Sequence, residues 1–182
     1  MSGPLLNQSK LFLHRLQCNK DLVWDKRLND ELISEWKNIA RQANSSGLIE
    51  YKRSCGERSA NYKLVAFSDS SKDMYGCVIY LYNLDTKCCN FLLAKNRLVN
   101  KTLENKSIPS LELQAIDLAV ETIIDTYNEL SGPSCVQPIS IESLFIYSDS
   151  VVALSWINSY INLFEKMNVN LLLFLIDYKI LI

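Results

Sequence analysis

Three acidic residues stand where a chain could use them for metal chemistry. Phe67-Ser68-Asp69-Ser70-Ser71 and Tyr147-Ser148-Asp149-Ser150 each put one aspartate directly after an apolar run. Between them, Ile108-Pro109-Ser110-Leu111-Glu112 opens a long helical pattern with a glutamate in its first turn. Three ionised carboxylates within about 4–6 Å of one another repel, and one tends to take up a proton. A divalent cation removes the conflict. Carboxylates and water suit Mg2+ or Mn2+, whereas zinc favours thiolates and imidazoles. Two such ions roughly 3.5–4 Å apart can activate a water and stabilise the leaving oxygen of a phosphodiester.

Each acid also has an ordinary structural role open to it. Asp149 precedes a helix and can serve as its N-cap, worth about 1 kcal/mol. Asp69 can hold an Asx turn, and Glu112 suits the positive end of a helix dipole. Singly, the structural roles are the stronger readings. It is the order of the surrounding elements that shifts the balance towards a shared site.

Composition removes several alternatives. His14 is the only histidine, so a His-rich metal site has no donors and a Ser-His-Asp triad is disfavoured. Two Asp-Ser pairs bring an aspartic protease to mind, but Ser71 and Val151 stand where its loops need glycine. Cys18, Cys55, Cys77, Cys88, Cys89 and Cys135 show no C-x-x-C spacing, which reads as reduced thiols in an intracellular setting, cytoplasmic or nuclear. Met1 to Lys10 lacks the basic-then-apolar order of a signal peptide. The apolar run Leu171 to Ile176 is far short of the roughly 20 residues of a membrane span. Net charge is −1 but unevenly spread: residues 50–106 hold 10 basic against 6 acidic residues, and 107–182 hold 2 against 9. That asymmetry fits a protein that meets an anionic polymer on one side and gathers carboxylates on another.

At 182 residues the chain accommodates one ordinary domain and an appendage. Residues 1–60 read as a helical lead-in. Leu11, Leu13 and Leu16 form a short apolar pattern, and Asn29 or Asp30 caps a helix through Leu32, Ile33, Trp36, Ile39 and Ala40. From Tyr62 the grammar changes. Strands are predicted over 63–68, 75–84 and 88–95, the last two joined by a turn at Asn83-Leu84-Asp85-Thr86. A basic loop with Lys95, Arg97, Lys101 and Lys106 follows. A helix then runs from Pro109 until Gly132-Pro133, a fourth strand covers 143–148, and a last helix covers 149–160. The order β-β-β-α-β-α predicts an α/β mixed sheet with helices packed on it. A helical crossover lets strand four lie parallel beside strand one, so Asp69 and Asp149 emerge at one carboxyl edge.

These segments resemble the ribonuclease H region of Pao/BEL-type LTR retrotransposon polyproteins. The resemblance rests on Ala66-Phe67-Ser68-Asp69-Ser70-Ser71 with Tyr75-Gly76-Cys77-Val78-Ile79-Tyr80-Leu81, Leu93-Ala94-Lys95-Asn96-Arg97-Leu98-Val99, Ile108-Pro109-Ser110-Leu111-Glu112-Leu113, and Tyr147-Ser148-Asp149-Ser150 with Leu154-Ser155-Trp156-Ile157. Leu22-Val23-Trp24-Asp25 and Glu35-Trp36 are similar to the segment that joins reverse transcriptase to ribonuclease H in these elements. The resemblance covers roughly residues 5–170.

The resemblance implies a ribonuclease H-like domain over 61–170, a connection segment over 1–60 and an apolar tail over 171–182, which either fills the place of a fifth strand or comes from a broken reading frame. It implies that Asp69, Glu112 and Asp149 bind two Mg2+ or Mn2+ ions and that the RNA strand of an RNA–DNA hybrid is cut. Lys95, Arg97 and Lys101 would meet backbone phosphates, which set position rather than sequence, and a reverse transcriptase segment of the same polyprotein is the implied protein partner. No membrane is implied. Such enzymes also use a fourth acid on a later helix, in an Asn-Pro-Ala-Asp-like stretch. Asn170 to Ile182 does not match it, and Asp177 sits in another context. The expectation is therefore a C-terminally truncated site, impaired in cleavage or reduced to binding.

Overall fold

A computed structural model describes residues 3–23, 25–45, 57, 60–99, 107–166 and 178–181. The chain divides into two compact units, Met1–Tyr51 and Lys52–Ile182.

The first unit is a helix pair, α1 (Gly3–Cys18) and α2 (Asp30–Ser45). Asn29 starts α2, its side-chain oxygen accepting the Leu32 N–H at 2.9 Å, one of the donors a helix N-terminus leaves open. Asp30 and Glu31 in the first turn favour the same end electrostatically. Phe12 is buried, its ring centroid 5.5 Å from that of Trp36, and Arg15 pairs with Glu35 across the two helices.

The second unit is built on a mixed sheet: β1 (Asn61–Ser70), β2 (Met74–Asn83), β3 (Cys89–Leu98), β4 (Ser140–Ser148) and β5 (Tyr178–Leu181), with α3 (Ile108–Ser131) and α4 (Val151–Lys166). The strand order is β3-β2-β1-β4-β5. β1 pairs antiparallel with β2 and β2 with β3, while β4 runs parallel to β1 and β5 parallel to β4. The parallel neighbour expected for strand one is in place.

Period-two alternation sets which residues go inside. Tyr62, Leu64, Ala66 and Ser68 of β1 are buried, while Phe67 and Asp69 between and beyond them are exposed. Leu64, Ile79, Leu81 and Ile146 meet Ile116, Leu118, Ala119 and Ile123 of α3 and Ala153 and Leu154 of α4 in one core. Ala115 and Ala119 let α3 lie close, and the buried Thr122 and Thr126 hydroxyls donate to the carbonyls of Leu118 and Thr122 one turn back. On the other face of the sheet, Phe67 stacks on Tyr147 at 5.2 Å and meets Tyr80 edge-on at 6.0 Å.

One turn and one glycine keep strands β2 and β3 in register. Asn83 Oδ1 accepts the N–H groups of Asp85 and Thr86, and Lys87 takes a positive φ of 57° to close the β2–β3 hairpin. Gly76 lets β3 approach, because a Cβ there would lie 2.9 Å from the Lys95 carbonyl oxygen.

Candidate active site

The paired strands β1 and β4 deliver two of the acids. Their last register pair is Ser68↔Ser148, so Asp69 and Asp149 are the next residue on each of two adjacent parallel strands. Neighbouring strands lie about 4.8 Å apart. Both acids therefore leave the sheet side by side at its carboxyl edge, where open α/β sheets take ligands. Both are exposed.

The ordinary roles open to these acids in the sequence are filled by other residues. Ser150, not Asp149, caps α4: its Oγ accepts the Ala153 N–H at 3.1 Å. The β1–β2 turn is held by Ser71, whose Oγ accepts the Met74 N–H at 3.1 Å and whose N–H reaches the Met74 carbonyl at 2.7 Å. Asp69 Oδ1 takes only the adjacent Ser70 N–H, at 2.7 Å. The expectation that Glu112 lies in the first turn of its helix is corrected. α3 starts at Ile108 behind the N-cap Ser107, with no acid in its first turn, which places Glu112 in the second. There the pull of the helix dipole has largely faded.

Glu112 arrives from the helix side of the sheet. Its Oε2 accepts a hydrogen bond from the Ser150 hydroxyl, the residue next to Asp149. A side-chain contact thus joins the start of α3 to the start of α4, beside one of the two strand-end aspartates. Asp69 shares the exposed register positions of β1 with Phe67 and comes to the edge from the other side.

The donor set fits a hard divalent cation: carboxylate oxygens, with a buried Ser70 hydroxyl beside Asp69 that has no hydrogen-bond partner among the described residues. As the side chains stand, no three His, Cys, Asp or Glu among the described residues form a group that could hold a metal ion. Asp69 Oδ1 accepts the Ser70 N–H and Glu112 Oε2 the Ser150 hydroxyl.

The basic residues sit differently from their expected place. Lys95, expected at the end of a strand, lies inside β3, and Arg97 belongs to β3 rather than to a loop; they stand opposite Cys77 and Tyr75 of β2. The polar alternation that reads as loop in sequence is the pattern of an edge strand, which charged side chains protect from further pairing. Lys95 Nζ lies 3.6 Å from Asp125 and Arg97 Nη2 3.2 Å from Glu121, both acids on α3. The Tyr75 hydroxyl and Glu121 hold the Arg97 guanidinium all the more firmly charged. Lys101 and Asp177 lie outside the described residues.

The family model for the Pao retrotransposon-like RNaseH-like domain matches residues 1–150. The chain belongs to that family. It is a ribonuclease H-like domain of retroelement type, and the α/β mixed sheet expected from the sequence is that fold. No curated protein matches the chain. Among solved structures, a foamy viral protease-reverse transcriptase in complex with dsDNA superposes with a TM-score of 0.50 at 11% identity, over 85% of this chain and 29% of that one. The native prototype foamy virus protease-reverse transcriptase gives a TM-score of 0.41 at 13% identity, over 92% and 20%. At this identity the first likeness concerns the fold alone. The Pao-family chain spans less than a third of the foamy viral proteins it resembles.

Proposed function

We propose that this chain is a metal-dependent ribonuclease H-type module that cuts the RNA strand of RNA–DNA hybrids, with Asp69, Glu112 and Asp149 as the metal-holding carboxylates. One observation carries the reading: β1 and β4 pair in parallel up to Ser68↔Ser148, so two aspartates with no structural duty of their own stand side by side at the ligand-binding edge. Glu112 Oε2 accepts the hydroxyl of Ser150, the residue after Asp149. Two bound Mg2+ or Mn2+ ions would supply a water nucleophile and neutralise the leaving oxygen. The chain's part is to hold three carboxylates around that point and to present the duplex.

The foamy viral relative in fold is in complex with dsDNA, which lends support to a duplex as the partner. Lys95 and Arg97 would contribute phosphate contacts, together with Lys101. Their present ion pairs are exposed and weak, so a phosphate can displace the α3 acids. Residues 1–60 would serve as the connection to a polymerase segment of a longer polyprotein, inside the cell.

A second reading, binding without cleavage, draws on the absence of a group of three metal-ligating side chains among the described residues. One assay separates the two. A labelled hybrid is incubated with the chain and millimolar Mg2+ or Mn2+. Metal-dependent cutting that vanishes in Asp69→Asn supports the nuclease. Hybrid retention with no cutting at any metal concentration selects the binding module.

A further inference from the structure

Ser150 is buried, with 5% of its surface exposed, and its hydroxyl has two partners on two elements. It accepts the Ala153 N–H of α4 and donates to Glu112 Oε2 of α3. A serine hydroxyl carries one proton and two lone pairs, so both bonds can be made at once. The cap bond fixes where the oxygen sits. The remaining proton then has one carboxylate to meet.

We propose that Ser150 is a positioning residue: its hydroxyl, anchored by capping α4, holds the Glu112 carboxylate at the start of α4, one residue along the chain from Asp149. A glutamate half-exposed on a helix otherwise samples several rotamers, and each one away from the edge removes a ligand from the site. Partners of this kind, which orient a ligand without touching the metal, commonly alter metal affinity by about 10–100-fold when removed. The inference rests on the nuclease reading for its purpose. The hold on Glu112 stands on its own geometry.

The two jobs of Ser150 can be separated. Glycine is a tolerable N-cap, so Ser150→Gly costs the helix little, whereas it removes the donor to Glu112 altogether. Threonine keeps both bonds. Mn2+ binding is measured by calorimetry on the full chain, with melting temperature recorded without metal. The expected result is an Mn2+ dissociation constant about tenfold or more higher in Ser150→Gly, a melting shift of about 1 °C, and recovery in Ser150→Thr. Unchanged affinity in Ser150→Gly overturns the proposal, as does a loss seen only in step with a collapse in melting temperature.

A metal-free cycle covers the remaining case. Ser150→Gly, Glu112→Gln and the double variant are melted without Mn2+, and non-additive shifts show that the two side chains act on each other. If the wild-type chain binds no Mn2+ and the shifts are non-additive, the nuclease reading falls while the hold on Glu112 stands. Additive shifts overturn the hold whatever the metal does.

Discussion

The acids at the carboxyl edge and the bases on the outer strand look alike in sequence: polar residues next to apolar runs. In the fold they part. Asp69 and Asp149 are exposed at the ends of the two innermost parallel strands, and the structural tasks near them fall to Ser71 and Ser150. Lys95 and Arg97 lie on edge strand β3 and are paired with Asp125 and Glu121 of α3. Acids without structural work at a ligand-binding edge are candidates for chemistry. Bases already matched by a neighbouring helix are at most shared with a ligand.

The sharpest break between the two regions is in turnover. If the chain is the proposed nuclease, Asp69→Asn removes a charge the site needs, and hybrid cleavage should fall by about a hundredfold or more. Its unfolding free energy should change by no more than about 0.5 kcal/mol, because the side chain is exposed and holds no turn. Cleavage rates and urea melts on the same preparation check both halves. Equal cleavage by the variant would erase the distinction between the acids and the bases.

Stability should show the reverse contrast within a single strand. Ile146 of β4 is 1% exposed in the core, so Ile146→Ala should cost about 2–5 kcal/mol. Three residues on, Asp149→Ala should cost under about 0.5 kcal/mol. Ser150→Ala falls between, at about 1 kcal/mol, because it removes the cap. Urea denaturation ranks the three. A large loss for Asp149→Ala, with little for Ser150→Ala, would return Asp149 to the role of a cap.

The smallest effect belongs to the bases. Lys95→Ala should leave cleavage chemistry intact and weaken hybrid binding a few-fold, lowering the salt slope of the binding constant by about one. An unchanged slope would leave Lys95 to Asp125 alone and widen the contrast with the acids.

Much of this was readable from the chain. The apolar alternation of 63–68 and 75–84 found β1 and β2, and the helical spacing from Leu113 to Tyr127 found α3. β1 runs two residues further at each end because β2 pairs along it, Asp69 with Gly76 and Ser70 with Tyr75, and cross-strand pairing leaves no mark in local composition. The end of β3 was hidden for a related reason: an edge strand over a charged helix alternates polar residues and passes for a loop. Asp149 and Ser150 are both good capping residues, and nothing in the pair says which one caps. The choice depends on where α4 starts, at Val151. The apolar tail allows a fifth strand, and β5 pairs with β4 there, but its four residues are too short for periodicity to set its bounds. The sequence puts Glu112 near the start of its helix, but its contact with Ser150, 38 positions away, exists only in three dimensions.

Crystals of the chain soaked in Mn2+ and measured at a wavelength where manganese scatters anomalously give the most direct test. A peak ligated by Asp69, Asp149 and Glu112 is the expected result. Manganese elsewhere on the surface, or none at saturating concentration while both aspartates face solvent, would contradict a metal centre at this edge.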